Sequence, residues 1–148
     1  MNSVNGILPN QVVKINSLPV WLTKFVLKIP AGFTTPAEDM GETRIDLTAE
    51  LITDPDASYL TTVKGRSMEK YGIFDGDLLV INRALEIKDG SIVVAVVDGE
   101  VTIKKLYMQG GVVKLVAGNP DFKDITFKEG QELVVWGVAQ HGIRSFKT

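Results

Sequence analysis

Acyl-transfer chemistry uses serine, lysine and histidine side chains, and the candidates here are Ser67, Lys104 and His141. Ser67 lies in Gly65-Arg66-Ser67-Met68, ahead of the glycine-rich stretch Gly72-Ile73-Phe74-Asp75-Gly76-Asp77. A serine hydroxyl becomes a nucleophile only when a neighbouring base takes its proton. The usual base is histidine, and the sequence has one, His141, after the apolar run Val134 to Gln140. The alternative is a lysine held neutral. Lysine ordinarily keeps its proton up to a pKa of about 10.4. Burial among apolar groups disfavours the charged form and lowers that value. Each residue also has a plainer reading. A serine before a short helical turn is commonly an N-cap. A lone histidine at a strand end is commonly structural or exposed, and strand lysines commonly reach out to solvent. Cysteine is absent, which excludes thiol nucleophiles, disulfides and thiolate metal sites. No metal or cofactor is expected.

The elements that would carry these residues read as short strands. Ser58–Lys64 is aromatic and β-branched, Leu78–Ile81 is a short apolar run, and Ile92–Val97 is continuously apolar, as for a strand covered on both faces. Asp98-Gly99 then separates Ile92–Val97 from Glu100–Leu106, a strong hairpin signal. Gly110-Gly111 predicts a further turn within Tyr107–Val116, and Leu133–Ala139 closes the series. Short helical segments are expected near Leu47–Ile52 and just after Ser67. If Asp98-Gly99 is a two-residue turn, Val97 pairs with Glu100, Val96 with Val101 and Val93 with Lys104. Lys104 then sits among Val93, Thr102 and Leu106, while Lys105 points to the other face and to water. A shift of one residue would exchange the two lysines.

The rest of the chain bounds the reading. With 45% hydrophobic and 23% charged residues, the composition is that of an ordinary globular protein able to build a core. Pro9, Pro19 and Pro30 break residues 1–30 into extended or irregular pieces too short for a helix-turn-helix domain. Residues 30–44 read as a linker. Residues 1–31 carry three lysines, Lys14, Lys24 and Lys28, and no acid. The net charge of −2 therefore leaves −5 on residues 32–148. A basic arm could dock on an acidic body by long-range attraction, or the lysines simply keep a loose arm soluble. Neither part is basic enough for a duplex DNA binder, so no direct sequence-specific DNA binding is expected. No apolar run is long enough for a membrane span, and no secretory signal is evident.

Four segments, in order, resemble the peptidase domain shared by LexA-type repressors and UmuD-type SOS mutagenesis proteins. They are Pro30-Ala31-Gly32-Phe33 with Pro36-Ala37, then Gly65-Arg66-Ser67-Met68, then Asp75-Gly76-Asp77-Leu78-Leu79, and finally Val97-Asp98-Gly99-Glu100 leading to Thr102-Ile103-Lys104-Lys105-Leu106. The similarity runs from about Pro30 to the C-terminus. The stretch 32–40 and Arg44-Ile45-Asp46-Leu47 are most similar to the UmuD-type branch. The resemblance implies a mainly β fold: a compact domain of several short strands and hairpins, preceded by an extended N-terminal arm. It implies Ser67 as nucleophile, Lys104 as base and Ala31-Gly32 as the scissile bond. The arm is then residues 1–31 and the peptidase domain residues 32–148. One residue departs from the pattern: Arg66 stands where an acidic or small residue is common. Its charge is expected to lower the pKa of Lys104 further.

The resemblance also implies the setting. Cleavage would be stimulated by a RecA–single-strand DNA filament. The product would serve, as a homodimer, an UmuC-like error-prone translesion polymerase in the cytoplasm. Backbone N–H groups of Ser67 and Arg66 would form the oxyanion hole. Three other readings remain beside this one: a catalytically silent polymerase-binding module, a LexA-like repressor fragment, and a signal-peptidase-like enzyme acting on other chains.

Overall fold

The structure is a computed structural model, and it describes residues 13, 14, 20–25, 28, 29, 31, 32, 34, 36, 37, 41–127 and 131–146. Among these the strands are β1 (Val13–Lys14), β2 (Trp21–Phe25), β3 (Glu42–Asp46), β4 (Ser58–Thr62), β5 (Leu78–Asn82), β6 (Ile92–Val97), β7 (Glu100–Gln109), β8 (Val112–Val116), β9 (Ile125–Thr126) and β10 (Leu133–Ile143). One short α-helix, α1 (Leu47–Leu51), and 3-10 turns at Pro55–Ala57 and Glu69–Tyr71 accompany them. The fold is mainly β, as the sequence predicts. The chain divides into two compact units, residues 16–53 and residues 54–148 together with 1–15.

The larger unit is one antiparallel sheet in the order β1-β4-β5-β10-β6-β7-β8-β9. Its central strand β6 explains its own unbroken apolar run. Val94 packs with Val63, Met68, Leu79, Ile81 and Trp136. Its neighbours Val93 and Ala95 pack with Leu106, Leu115 and Val138. Side chains alternate along a strand, so β6 must be apolar on both faces to serve two cores. The β6–β7 hairpin turns at Asp98 (φ 50°) and Gly99 (φ 82°), the positive-φ pair that a tight hairpin needs. Val97 pairs with Glu100, Val96 with Val101 and Val93 with Lys104, the register read from the sequence.

Strand β10 is longer than expected, running past Ala139 to Ile143. It carries two irregularities, one between Val135 and Gly137 and one between Ala139 and His141. A Cβ at Gly137 would lie 2.6 Å from Ile81 Cγ2, so the bulge needs glycine there.

The smaller unit is a hairpin of β2 and β3 followed by α1. Asp46 caps α1 by accepting the Thr48 N–H at 3.0 Å and ties the start of β2 by accepting the Val20 N–H at 3.2 Å. Glu42–Asp46 is strand, so the linker read over 30–44 ends earlier: Thr43 and Ile45 are β-branched and pair with Lys24 and Leu22. Of the extended or irregular pieces read over 1–30, Val13–Lys14 pair with Leu60 and Tyr59 of β4 and Trp21–Phe25 form β2, while Pro9, Pro19 and Pro30 lie outside the described residues. No helix among the described residues is long and apolar enough to cross a membrane.

Candidate active site

Ser67 is carried on the loop that leaves β4. Gly65 turns the chain with φ 99°, a conformation other residues adopt only with strain. The glycine-rich stretch after it holds this loop in place. Gly65 donates its N–H to Asp75 Oδ1 at 2.7 Å, and Val63 exchanges backbone bonds with Gly76 and Asp77, both at 2.8 Å. Asp77 is buried and takes Arg144 at 2.8 and 2.7 Å and the Phe74 N–H at 2.8 Å. The Arg144 guanidinium and the Phe74 N–H together hold the Asp77 carboxyl below the usual carboxylate range, against the opposing effect of burial. Met68 is fully buried and anchors the far side of the loop. The Gly65–Met68 and Asp75–Leu79 motifs are thus one structure: the second holds the first.

Lys104 approaches from β7. Its partner across the ladder is the buried Val93, and only 7% of Lys104 is exposed. Lys104 Nζ lies 3.0 Å from Ser67 Oγ, 2.7 Å from Thr102 Oγ1 and 3.0 Å from the Ile103 carbonyl. No carboxylate pairs with it among the described residues. Burial without a counter-charge pushes the Lys104 pKa below its ordinary value. The three contacts also suit the neutral amine. Its two N–H groups can donate to Thr102 and Ile103 while its lone pair accepts the Ser67 hydroxyl proton. The side chain is therefore satisfied in either protonation state.

The remaining candidate residues fall into place around this pair. Ser67 does not cap the following turn: Met68 is the N-cap residue, and no side chain caps it. His141 sits on β10 opposite Val80, its Nε2 buried without a partner among the described residues, and no hydrogen bond joins it to Ser67. Lys105 is half-buried rather than wet, its Nζ 4.8 Å from the centre of the Tyr71 ring. Arg66 does not act as expected on Lys104. Its side chain points to solvent and pairs with Glu69 at 3.2 Å, and burial alone accounts for the lowered Lys104 pKa. The N–H groups of Arg66 and Ser67 donate to no acceptor among the described residues.

A groove of about 940 Å³ passes in front of Ser67, walled by Leu60–Gly65 on one side and Val101–Ile103 on the other, with Met68, Ile81 and Val94 in its floor. Both walls offer backbone. Beyond Leu60 the outer edge of β4 has no strand partner among the described residues, and β7 meets β8 only from Lys105 onward. An extended peptide can pair with such edges. Ala31 and Gly32, in the smaller unit, are both exposed and lie in the long connection between β2 and β3. The strand pattern places Thr102 beside Lys104, but sequence reasoning missed its hydroxyl as a partner of Nζ. Its position two residues before the lysine on a strand was the available signal.

Comparison with known proteins finds the family described as Peptidase S24-like matching residues 20–140. A LexA repressor of Cupriavidus taiwanensis is 46% identical over 92 residues, which are 62% of this chain and 42% of that protein. A LexA repressor of Dechloromonas aromatica is 41% identical over 117 residues, 78% of this chain and 58% of the repressor. Protein ImpA of Salmonella typhimurium is 34% identical over 120 residues, 80% of this chain and 81% of ImpA. The chain spans about half the length of the LexA repressors it matches.

Proposed function

The chain belongs to the S24-like peptidase family, serine peptidases of the self-cleaving kind, and from that premise we propose that it cuts its own Ala31–Gly32 bond with Ser67 as nucleophile and Lys104 as base. The observation that carries this reading is the 3.0 Å approach of a buried, carboxylate-free Lys104 Nζ to Ser67 Oγ at the wall of an open groove.

The segment around Ala31–Gly32, from the same chain or from a second copy, lies extended in the groove. Glycine on one side of the bond and alanine on the other let the backbone come close. Neutral Lys104 takes the Ser67 hydroxyl proton, and Oγ attacks the Ala31 carbonyl carbon. The oxyanion meets the Ser67 N–H and the Arg66 N–H. Collapse breaks the bond to Gly32, whose nitrogen receives the proton from Lys104. Water, deprotonated by the same lysine, then releases the acyl group from Ser67. Thr102 and the Ile103 carbonyl fix the lysine rotamer, so Thr102 is a positioning residue. The products are residues 1–31 and 32–148.

The wider role follows the family resemblance. A RecA–single-strand DNA filament shifts the population toward the docked state, and residues 32–148, as a homodimer, join an UmuC-like translesion polymerase in the SOS response. The match across most of ImpA favours this over a second reading, in which the unit is the peptidase portion of a LexA-like repressor.

The test is chemical. Incubation at about pH 10, where even an ordinary lysine begins to deprotonate, is followed by mass measurement of the intact chain. The expected product is residues 32–148 in wild type, with none in Ser67→Ala or Lys104→Ala. Cleavage at Ala31–Gly32 in a preparation containing only Ser67→Ala chains would overturn the reading.

A further inference from the structure

The loop between β8 and β9 closes against the back of the Ser67 segment. Asn119 Nδ2 donates to the Arg66 carbonyl at 3.0 Å and to Glu69 Oε1 at 3.2 Å, and Asn119 Oδ1 accepts the Asp121 N–H at 2.9 Å. Both amide hydrogens and the amide oxygen are engaged, so the side chain has one satisfied orientation. Beside it the Gly118 N–H donates to the Ser67 carbonyl, and the Gly118 carbonyl accepts the Lys70 N–H at 2.7 Å. Gly118 is wedged in place: a Cβ there would lie 2.7 Å from the Tyr71 ring and 3.1 Å from Met68 Cα.

These bonds determine where the Ser67 N–H points. In a trans peptide the carbonyl and the N–H of one unit face opposite ways. Asn119 holds the carbonyl of the Arg66–Ser67 unit from the loop side. The Ser67 N–H must then face away from the loop, and it is one of the N–H groups left without an acceptor among the described residues. Glu69 completes the clamp by taking Asn119 Nδ2 and the Arg66 guanidinium together. The exposed arginine before the nucleophile is thereby tied down by its side chain as well as its carbonyl.

We infer that Asn119 is the positioning residue of the oxyanion hole, acting through the Arg66 carbonyl to aim the Ser67 N–H at the carbonyl oxygen under attack. The inference rests on the Ser67–Lys104 reading. It assigns work to a loop residue that touches neither the serine hydroxyl nor the lysine.

The experiment is a pH–rate profile of self-cleavage for wild type, Asn119→Ala, Asn119→Asp and Ser67→Ala, with a thermal melt of each. Asn119→Asp keeps the acceptor for Asp121 but turns an oxygen toward the Arg66 carbonyl and the Glu69 carboxylate. Removing an oxyanion donor outright costs about 10²–10³ in rate; misdirecting one is expected to cost at least about tenfold on that scale. The plateau falls in both Asn119 variants, while the pH midpoint, set by Lys104, stays where it is in wild type. Asn119→His, which can present a ring N–H to the same carbonyl, recovers part of the rate. A plateau within twofold of wild type in a folded Asn119→Ala, or a shifted midpoint, overturns the positioning role and leaves the Ser67–Lys104 reading intact. Should Asn119→Asp melt below the assay temperature, Asn119→Ala decides. Cleavage that persists in Ser67→Ala overturns both together.

Discussion

Gly118 and Gly32 stand on the two sides of the proposed reaction, and their surroundings are opposite. A side chain at Gly118 would collide with the Tyr71 ring and the Met68 backbone, whereas one at Gly32 would meet nothing within 4 Å among the described residues. The same contrast runs through each region. The Ser67 loop is held by Asp75, Asn119, Gly118 and the buried Met68, and its lysine is already in contact. Ala31 and Gly32 are exposed in a long connection. On the proposed reading, the catalytic side is assembled in advance and the substrate side is exposed for uptake. If that reading holds, restraint on cleavage belongs to docking and to the protonation of Lys104, not to assembly of the site.

Gly32→Val presses hardest on that contrast. It is expected to leave the melting temperature within about a degree, since nothing crowds the position. It is also expected to slow cleavage on the order of 100-fold, since close approach at a scissile bond needs a bare backbone. Unchanged cleavage would show that the free side imposes no shape requirement.

Thr102→Val tests the assembled side. Loss of the 2.7 Å contact frees the lysine to rotate, and cleavage should fall by about tenfold or more. The hydroxyl accepts more strongly from the ammonium than from the amine, so its loss favours the amine and the pH midpoint should also move down. A fall in rate with a midpoint moved upward would contradict the geometry.

How much of this was legible in the sequence can be judged from particular residues. Asp98-Gly99 set the hairpin, the hairpin set the register, and the register separated Lys104 from Lys105. Local turn chemistry is written in adjacent residues and so is legible. The 3-10 turn after Ser67 and α1 were legible for the same reason. Asn119 was not. Its role depends on a backbone carbonyl 53 residues away and leaves no periodic trace. The strand at Glu42–Asp46 was masked by the turn-forming residues before it, and the length of β10 by two bulges that break its alternation.

Lys104→Met separates the cost of the site from its use. The folded-state pKa of Lys104 lies below its unfolded value. Below its folded-state pKa the folded chain carries a buried charge that the unfolded chain would solvate. As pH rises through the folded pKa toward about 10.4, the unfolded state binds more protons and folding gains stability. Lys104→Met should therefore melt a few degrees higher than Ser67→Ala at pH 7, with the gap narrowing as pH rises. A gap that widens with pH would contradict a depressed lysine.

The smallest effect belongs to the neighbouring lysine. Lys105 lies over Tyr71 on the opposite face, so Lys105→Met should cleave within about twofold of wild type. A large loss would mean that the register does not assign the base.

The pH dependence of the cleavage rate, measured on the purified chain from about pH 6 to 11, tests the central claim most directly, because it reads the base itself. The account predicts one rising transition with a midpoint below the ordinary lysine value of about 10.4, absent in Lys104→Ala and unmoved in His141→Ala. A midpoint near the ordinary histidine value of about 6.5, or a profile unchanged in Lys104→Ala, would contradict it.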